Sequence, residues 1–272
     1  MELQRVCMLC YSATGVTEKA VAVLAEELAA KLQLPLERFA FTKPMERREY
    51  SFTSTDVVVV GTPTYAGKMP NKLLPEFQSK LRGNGALAVA VVTFGNRSYD
   101  NALAELCSVL ETDGFRTVAA AALVGRHAFT DELGYGRPNW SDSFETKNFA
   151  KRVSDKVKRL TDIPAPVQVP GDAAAPYYTP LGTDGQPVKF LKAKPKTHLS
   201  RCNGCGACVR QCPMGAIDPK NVSNVPGTCI KCQACVRKCT KRAKYFDDPA
   251  FLSHVEMLER TYTEPKDNEF FL

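Results

Sequence analysis

Between Cys202 and Cys239 one spacing occurs twice. Cys202, Cys205, Cys208 and Cys212 follow the pattern Cys-x2-Cys-x2-Cys-x3-Cys, and 27 residues on Cys229, Cys232, Cys235 and Cys239 repeat it. An internal repeat of this kind predicts two equivalent sites. Three closely spaced thiolates can cap three irons of one cubane, and the fourth iron then takes a cysteine from elsewhere. Zinc is the competing ion, but zinc sites generally use two cysteine pairs at wider separation. The repeat therefore reads as two iron–sulfur sites, with zinc as the rival.

Only Cys7, Cys10 and Cys107 lie outside the repeat. A chain of 272 residues suggests roughly two domains. Its 44% hydrophobic and 24% charged content excludes a wholly disordered chain. No apolar run approaches the roughly 18 residues that would span a bilayer. Met1 to Cys7 reads directly into a strand, without the basic start and long apolar core of a signal peptide. The expected location is the cytoplasm, where thiols serve metals or redox chemistry rather than disulfides. Charge divides the chain into three. Residues 1–186 hold 21 basic and 21 acidic side chains, residues 187–246 hold 13 basic and one acid (Asp218), and residues 247–272 hold two basic and seven acidic.

The first 160 residues alternate short apolar runs with amphipathic stretches. Val6–Leu9, Val57–Val60, Ala88–Val92 and Val118–Val124 are continuous apolar runs, as expected of parallel strands covered on both faces. Leu36–Phe41 is more polar and suits an edge strand. Between them Val21, Leu24, Leu28 and Leu32 share one helical face, Leu103, Leu106, Cys107 and Leu110 another, and Phe149, Val153, Val157 and Leu160 a third. A further helix opens near Pro70. The expected fold is α/β, a doubly wound parallel five-stranded sheet. Such sheets bind ligands at the carboxyl ends of their strands.

Three strand ends carry unusual chemistry. The first, Tyr11 to Thr17, surrounds Gly15 with the hydroxyls of Ser12, Thr14 and Thr17 at a helix N-terminus, a phosphate cradle without a lysine. The absent Gly-Lys-Ser/Thr weighs against a nucleoside-triphosphate loop, and an ordinary N-cap is the plain alternative. The others are Gly61 to Lys68 and Thr93 to Tyr99, each combining glycine, an aromatic and small polar residues; singly each is a turn, and together they suit a flat aromatic ligand. The segment Ser12-Ala-Thr-Gly-Val-Thr17 resembles the FMN-phosphate loop of flavodoxins, and the resemblance covers the first 160 residues. It implies phosphate binding by Ser12, Ala13, Thr14, Gly15, Val16 and Thr17. It implies one wall for the isoalloxazine ring from Thr64, Tyr65 and Ala66, and the other from Phe94, Gly95, Asn96 and Tyr99. Two departures stand out. Cys10 replaces an aromatic, and Lys68 and Arg97 are cations where flavodoxins are acidic. A cation beside the ring would raise the second reduction potential of the flavin.

Seven prolines between Ile163 and Pro195 predict an extended, semi-rigid linker over 161–197, with a small hairpin near Gly182 to Leu191. The cysteine segment, 198–246, resembles bacterial ferredoxins with two [4Fe–4S] clusters. Cys212-Pro-Met-Gly-Ala-Ile217 matches their cysteine–proline pattern, whereas Thr240 takes the proline's place in the second run. In such ferredoxins the fourth cysteine of each run serves the other cluster. One cluster would use Cys202, Cys205, Cys208 and Cys239, the other Cys229, Cys232, Cys235 and Cys212, in a small α+β ferredoxin-like domain. The two resemblances together are similar to flavodoxin–ferredoxin fusion proteins of anaerobes. Two oxidised clusters supply about −4 of charge, which leaves this basic module cationic. Potentials above those of an acidic ferredoxin are expected, and so are redox partner proteins with an acidic docking surface. Nucleic acid is the disfavoured partner.

Smaller features read plainly. Cys7 and Cys10, three apart on a strand, should face opposite sides and belong to core and loop. Cys107 should be core. His127, His198 and His254 show no metal spacing. Trp140 could cover the flavin edge or pack. Residues 247–272 read as an acidic tail with a short helix over Phe251 to Leu258. No acid–base pair or nucleophile stands out. The expected function is electron transfer that couples two-electron FMN chemistry to one-electron steps through the clusters. The rival is an FMN-dependent reductase of a small molecule with the clusters as electron inlet; a sensor or assembly partner with structural clusters is a third reading.

Overall fold

In the computed structural model, which describes residues 2–272, the first strand β1 (Arg5–Cys10) leads into helix α1 (Val16–Leu32) and strand β2 (Leu36–Ala40). Then come β3 (Asp56–Pro63), α2 (Leu74–Lys80), β4 (Leu87–Phe94), α3 (Ala102–Thr112), β5 (Arg116–Val124) and α4 (Trp140–Lys158). The five strands pair in parallel in the order β5-β4-β3-β1-β2. This is the doubly wound 2-1-3-4-5 order of the flavodoxin fold. Alternating side chains split the core into two layers, with Cys7 and Leu9 on one face of the sheet and Val6, Met8 and Cys10 on the other. Cys107, on the inner side of α3, is buried in the first layer.

The sheet has a sixth strand. Glu269–Phe271, here β6, pairs antiparallel with β5, Glu269 opposite Ala122 and Phe271 opposite Ala120. The reason lies in β5. Its run Ala119–Ala122 is buried on both faces yet offers little volume, and Phe270 and Phe271 pack against opposite layers beside it. Phe270 meets Phe149 of α4 with ring centroids 4.8 Å apart. The acidic segment is thus a working part of the α/β unit. It begins with α7 (Pro249–Thr261), whose N-cap Asp248 accepts from the Phe251 N–H at 2.9 Å. It then crosses Asn96, whose Nδ2 donates to the carbonyls of Tyr262 (2.7 Å) and Glu264 (3.0 Å).

The proline-rich segment is equally tied down. The Val167 N–H donates to the Thr117 carbonyl at 2.9 Å and the Tyr178 N–H to that of Ala66 at 2.8 Å. The Tyr177 hydroxyl reaches the Met69 carbonyl at 3.0 Å. The small hairpin is present, with Leu181 bridged to Pro187. Beyond it the cysteine repeat forms two one-turn helices of identical sequence, α5 (Ala207–Arg210) and α6 (Ala234–Arg237). A two-residue antiparallel ladder, Lys196–Thr197 against Lys244–Tyr245, closes this module. Its apolar core is small, built on Ala216, Ile217, Val225 and Cys235. Among the described residues no helix is long and apolar enough to cross a membrane.

Candidate functional site

The carboxyl ends of β1, β3, β4 and β5 open into one crevice of about 640 Å³. The α/β unit supplies one wall through Thr14, Val16, Thr64, Tyr65, Phe94 and Gly95. The other wall comes from later in the chain: Tyr177, Tyr178 and Phe190, then Thr228 to Cys232 of the cysteine repeat, then His254 and Leu258 of α7.

At the first strand end the backbone turns through Gly15, φ 94°, into α1. Ser12 is committed to this turn: its Oγ accepts from the Glu18 N–H at 3.0 Å, and its own N–H donates to Thr42 Oγ1 at 2.8 Å. Thr17 Oγ1 pairs with Thr93 Oγ1 at 2.7 Å. The backbone N–H groups of residues 13–17 take no acceptor among the described residues. Five free donors at the positive end of a 17-residue helix form a cradle for an anion. The missing lysine arrives from elsewhere. Lys238 Nζ lies 3.8 Å from where a Cβ on Gly15 would stand, and it is in no ion pair among the described residues.

The second strand end turns back on itself. Tyr65 and Lys68 exchange backbone hydrogen bonds of 2.8 and 3.2 Å, with Ala66 left-handed at φ 48°. Thr64 Oγ1 is buried in the crevice wall without a hydrogen-bond partner among the described residues, an atom suited to a bound ligand. The third strand end approaches His127 so closely that a Cβ on Gly95 would stand 2.3 Å from its ring. Burial pushes His127 down to about 4, assisted by the charges of His254, Arg237 and Arg97. Its Nδ1 accepts from the Phe129 N–H at 3.1 Å, so the proton sits on Nε2. The crevice offers a cradle for phosphate, a slot between aromatic and glycine-bearing turns, and an orphaned hydroxyl; these fit a phosphorylated flat aromatic group.

Some residues expected at the ring stand elsewhere. Asn96 fixes the tail and also accepts from the Lys266 N–H at 3.0 Å. Tyr99 is buried against Phe94 and donates to Glu269 at 2.7 Å. Neither lines the crevice. Lys68 and Arg97 do not leave an open cation beside it. Lys68 is buried, 3.0 Å from Glu105, and donates to the carbonyls of Ala173 (2.7 Å) and Ala175 (2.8 Å). Arg97 pairs with Asp100 and lies over the Tyr178 ring at 4.0 Å. The expectation of a raised second flavin potential loses its basis, because each cation already has its counter-charge. Trp140 neither covers the crevice nor enters the core; it is 79% exposed and stacks on Phe144.

The cysteines form two sets. Cys202, Cys205, Cys208 and Cys239 line one void, and Cys212, Cys229, Cys232 and Cys235 line the other. Each void thus draws three sulfurs from one run and one from the other. Among the described residues no three metal-ligating side chains converge tightly enough for a single ion, whereas a cubane spreads its four thiolates over four irons. Backbone N–H groups aim at the sulfurs: Ala216 at Cys212 (3.3 Å), Lys231 at Cys229 (3.4 Å) and Ala243 at Cys239 (3.3 Å). At Cys239 burial works upward, but N–H groups of Ala243, Lys244, Lys241 and Arg242 overcome it and hold the thiol below its ordinary value. Burial pushes Cys235 up to about 12 and Cys232 higher still; thiols this dry ionise only against a cation such as iron. The residues fit two [4Fe–4S] clusters. Cys229 and Cys232 belong to both the second void and the crevice.

Sequence reasoning missed Lys238, Tyr178, Phe190 and His254. For Lys238 the signal was present as bulk charge, but nothing local pointed it at Gly15. The other three sit in segments read as spacer and tail.

A sequence model of the 4Fe-4S binding domain matches residues 195–218, so the chain carries a 4Fe-4S binding segment. A search of curated proteins finds no match. Several solved structures are similar to this chain over its α/β part. A flavodoxin from the domain Archaea is 16% identical over 57% of this chain and 100% of its own, TM-score 0.38. A short-chain flavodoxin associated with a bacterial microcompartment is 16% identical over 57% and 98%, TM-score 0.39. The rubredoxin oxygen:oxidoreductase of Desulfovibrio gigas is 17% identical over 58% of this chain and 37% of its own, TM-score 0.38. The fold assignment itself rests on the strand order.

Proposed function

We propose that this chain is an electron-transfer protein that binds FMN in the crevice and two [4Fe–4S] clusters in the cysteine voids, and works in the cytoplasm of an anaerobe. Bound FMN supplies two-electron and one-electron chemistry, and the clusters supply one-electron steps. The observation that carries this is the shared wall: the backbone from Thr228 to Cys232 both lines the crevice and carries two ligands of the second cluster. The donors of residues 13–17 and Lys238 hold the phosphate. Tyr65 and Phe94 confine the ring, and Thr64 Oγ1 gains its missing partner. The neutral His127, fixed by Phe129, keeps charge out of that wall. Redox proteins are the partners.

A second reading keeps its footing. The space between Tyr178, Phe190 and His254 extends the crevice beyond the ring-holding turns, which suits a small molecule reduced against the flavin.

The test is anaerobic preparation and reconstitution. Eight irons, eight sulfides and one FMN per chain are expected. Stopped-flow reduction watched separately at flavin and cluster bands should show electrons equilibrating between them without added substrate. A colourless protein that takes up neither iron nor FMN would end the proposal. Substrate-dependent turnover with no transfer to carrier proteins would select the reductase.

A further inference from the structure

The two cysteine sets differ in what they face. The second borders the crevice, with Cys232 and Cys235 buried, whereas in the first Cys205 is exposed, alone among the eight. Around that first set stand Arg201, Arg210, Lys241 and Arg242, all exposed. Arg201 precedes Cys202. Arg210 Nη1 donates to the Cys205 carbonyl at 2.9 Å. Lys241 lines the void itself, and Arg242 follows it in the turn that donates to Cys239. None of the four is in an ion pair among the described residues, although the α/β unit pairs nearly all its buried cations. The nearest acids in sequence are already engaged: Asp247 pairs with Lys196 at 2.8 Å, and Asp218 accepts from the Lys220 N–H at 2.8 Å. A [4Fe–4S] cluster in the first void would offset about two of these charges; the positive charge that remains at the exposed sulfur is costly to the isolated protein through self-repulsion, and becomes favourable against a surface of opposite sign.

We propose that the face around Cys205 is the docking surface for an acidic redox protein, so that electrons pass between crevice and partner through the second cluster and then the first. This rests on the reading of the voids as [4Fe–4S] sites. Steering by four cations raises encounter rates by roughly 10 to 10³ at low salt. Charge complementarity chooses the occupant: a basic protein is repelled and an acidic one is attracted.

The experiment uses the full, cluster-loaded chain and an acidic plant-type [2Fe–2S] ferredoxin as probe, with a basic cytochrome c as comparison. Complex formation is followed by anaerobic sedimentation and calorimetry. The ferredoxin should bind at 50 mM salt, and its affinity should fall at least tenfold by 300 mM. The triple change Arg201→Gln, Arg210→Gln, Lys241→Gln should weaken it at least tenfold, while Lys147→Glu with Lys151→Glu on α4 should leave it unchanged. Cytochrome c should not bind. Absence of ferredoxin binding at 50 mM salt, equal effects of both variants, or preference for cytochrome c overturns the docking surface. So does salt-sensitive self-association through the triple-variant residues, which would make a second copy the occupant, or tighter binding of a 20-nucleotide DNA duplex that displaces the ferredoxin. Iron and FMN are counted on the same samples. Loss of iron in the wild type defeats the cluster reading, whereas full iron with no binding defeats only this surface.

Discussion

The two halves of the cysteine repeat have the same chelating frame and opposite surroundings. Each half makes three left-handed turns at matching positions. In the first half they fall on Gly204, Gly206 and Gly215, and in the second on Lys231, Gln233 and Arg242. Each half then forms a single turn of Ala-Cys-Val-Arg. The arginine of the first, Arg210, stays exposed. That of the second, Arg237, reaches across to the α/β unit and donates to the carbonyls of His127 (3.1 Å), Ala128 (3.0 Å) and Thr130 (2.8 Å), and to Asp131. The frame is dictated by sulfur geometry and so repeats. What the side chains do is dictated by whether that half meets the crevice or the solvent.

The largest effect should come from removing one half's cluster. Cys232→Ala should abolish rapid transfer between flavin and the remaining cluster, slowing it by more than about a hundredfold as the gap lengthens. Cys205→Ala should leave transfer from flavin to the second cluster nearly unchanged and slow only delivery to an external acceptor. Stopped-flow traces at separate bands decide this, and equal defects would erase the distinction between the halves.

The two arginines sharpen the comparison next. Arg237→Ala removes several bonds between units and leaves three carbonyls without their donor, so about 2–3 kcal/mol of unfolding free energy should be lost. Arg210→Ala should cost under about 1 kcal/mol. Denaturant titration of both holoproteins measures the difference. The same contact zone sets an acid limit. His127 titrates near 4 when folded and near its ordinary 6.5 when unfolded. The unfolded chain therefore binds the extra proton first as pH falls, and stability should decline from pH 6.5 down to about 4. His127→Gln should flatten that decline, as read from unfolding midpoints across pH.

Lys238 tests whether the second half also serves the phosphate. Lys238→Gln should weaken FMN about tenfold and leave riboflavin, which lacks the phosphate, unaffected, with iron content unchanged. Equal losses for both ligands would return the cradle to the N–H groups alone.

Much of this was open to the sequence. The Val57–Val60 run and the more polar Leu36–Phe41 run identified a buried and an edge strand, because periodicity and burial are local signals. The cysteine spacing marks three residues of each set, because that distance is a local constraint; that the fourth comes from the other run is what the resemblance to two-cluster ferredoxins implies. The contacts that sequence missed are long-range. Glu269–Phe271 is too short to announce a strand, and only the small, doubly buried Ala119–Ala122 run hints that β5 has a neighbour on each side. Lys68 looked like a free cation because Glu105, its counter-charge, is brought to it only by the packing of α3. Tyr178 and His254 sit in segments whose composition suggested spacer and tail, yet folding sets them in one wall.

The smallest prediction concerns the turns. Left-handed backbone costs a residue bearing a Cβ about 1 kcal/mol relative to glycine. At Gly204 a Cβ would meet nothing within 4 Å, so Gly204→Ala should register that backbone cost alone. The second half already carries it three times, in part offset where Lys231 Nζ donates to the Leu191 carbonyl at 3.0 Å and Gln233 Nε2 to the Lys231 carbonyl at 3.1 Å. Among the described residues Arg242 has no such side-chain bond. Arg242→Gly should therefore stabilise the holoprotein by about 1 kcal/mol, whereas Gln233→Gly should gain less. If Arg242→Gly proves destabilising, its side chain has a partner in the folded protein, and the second half is tuned to its surroundings at all three turns.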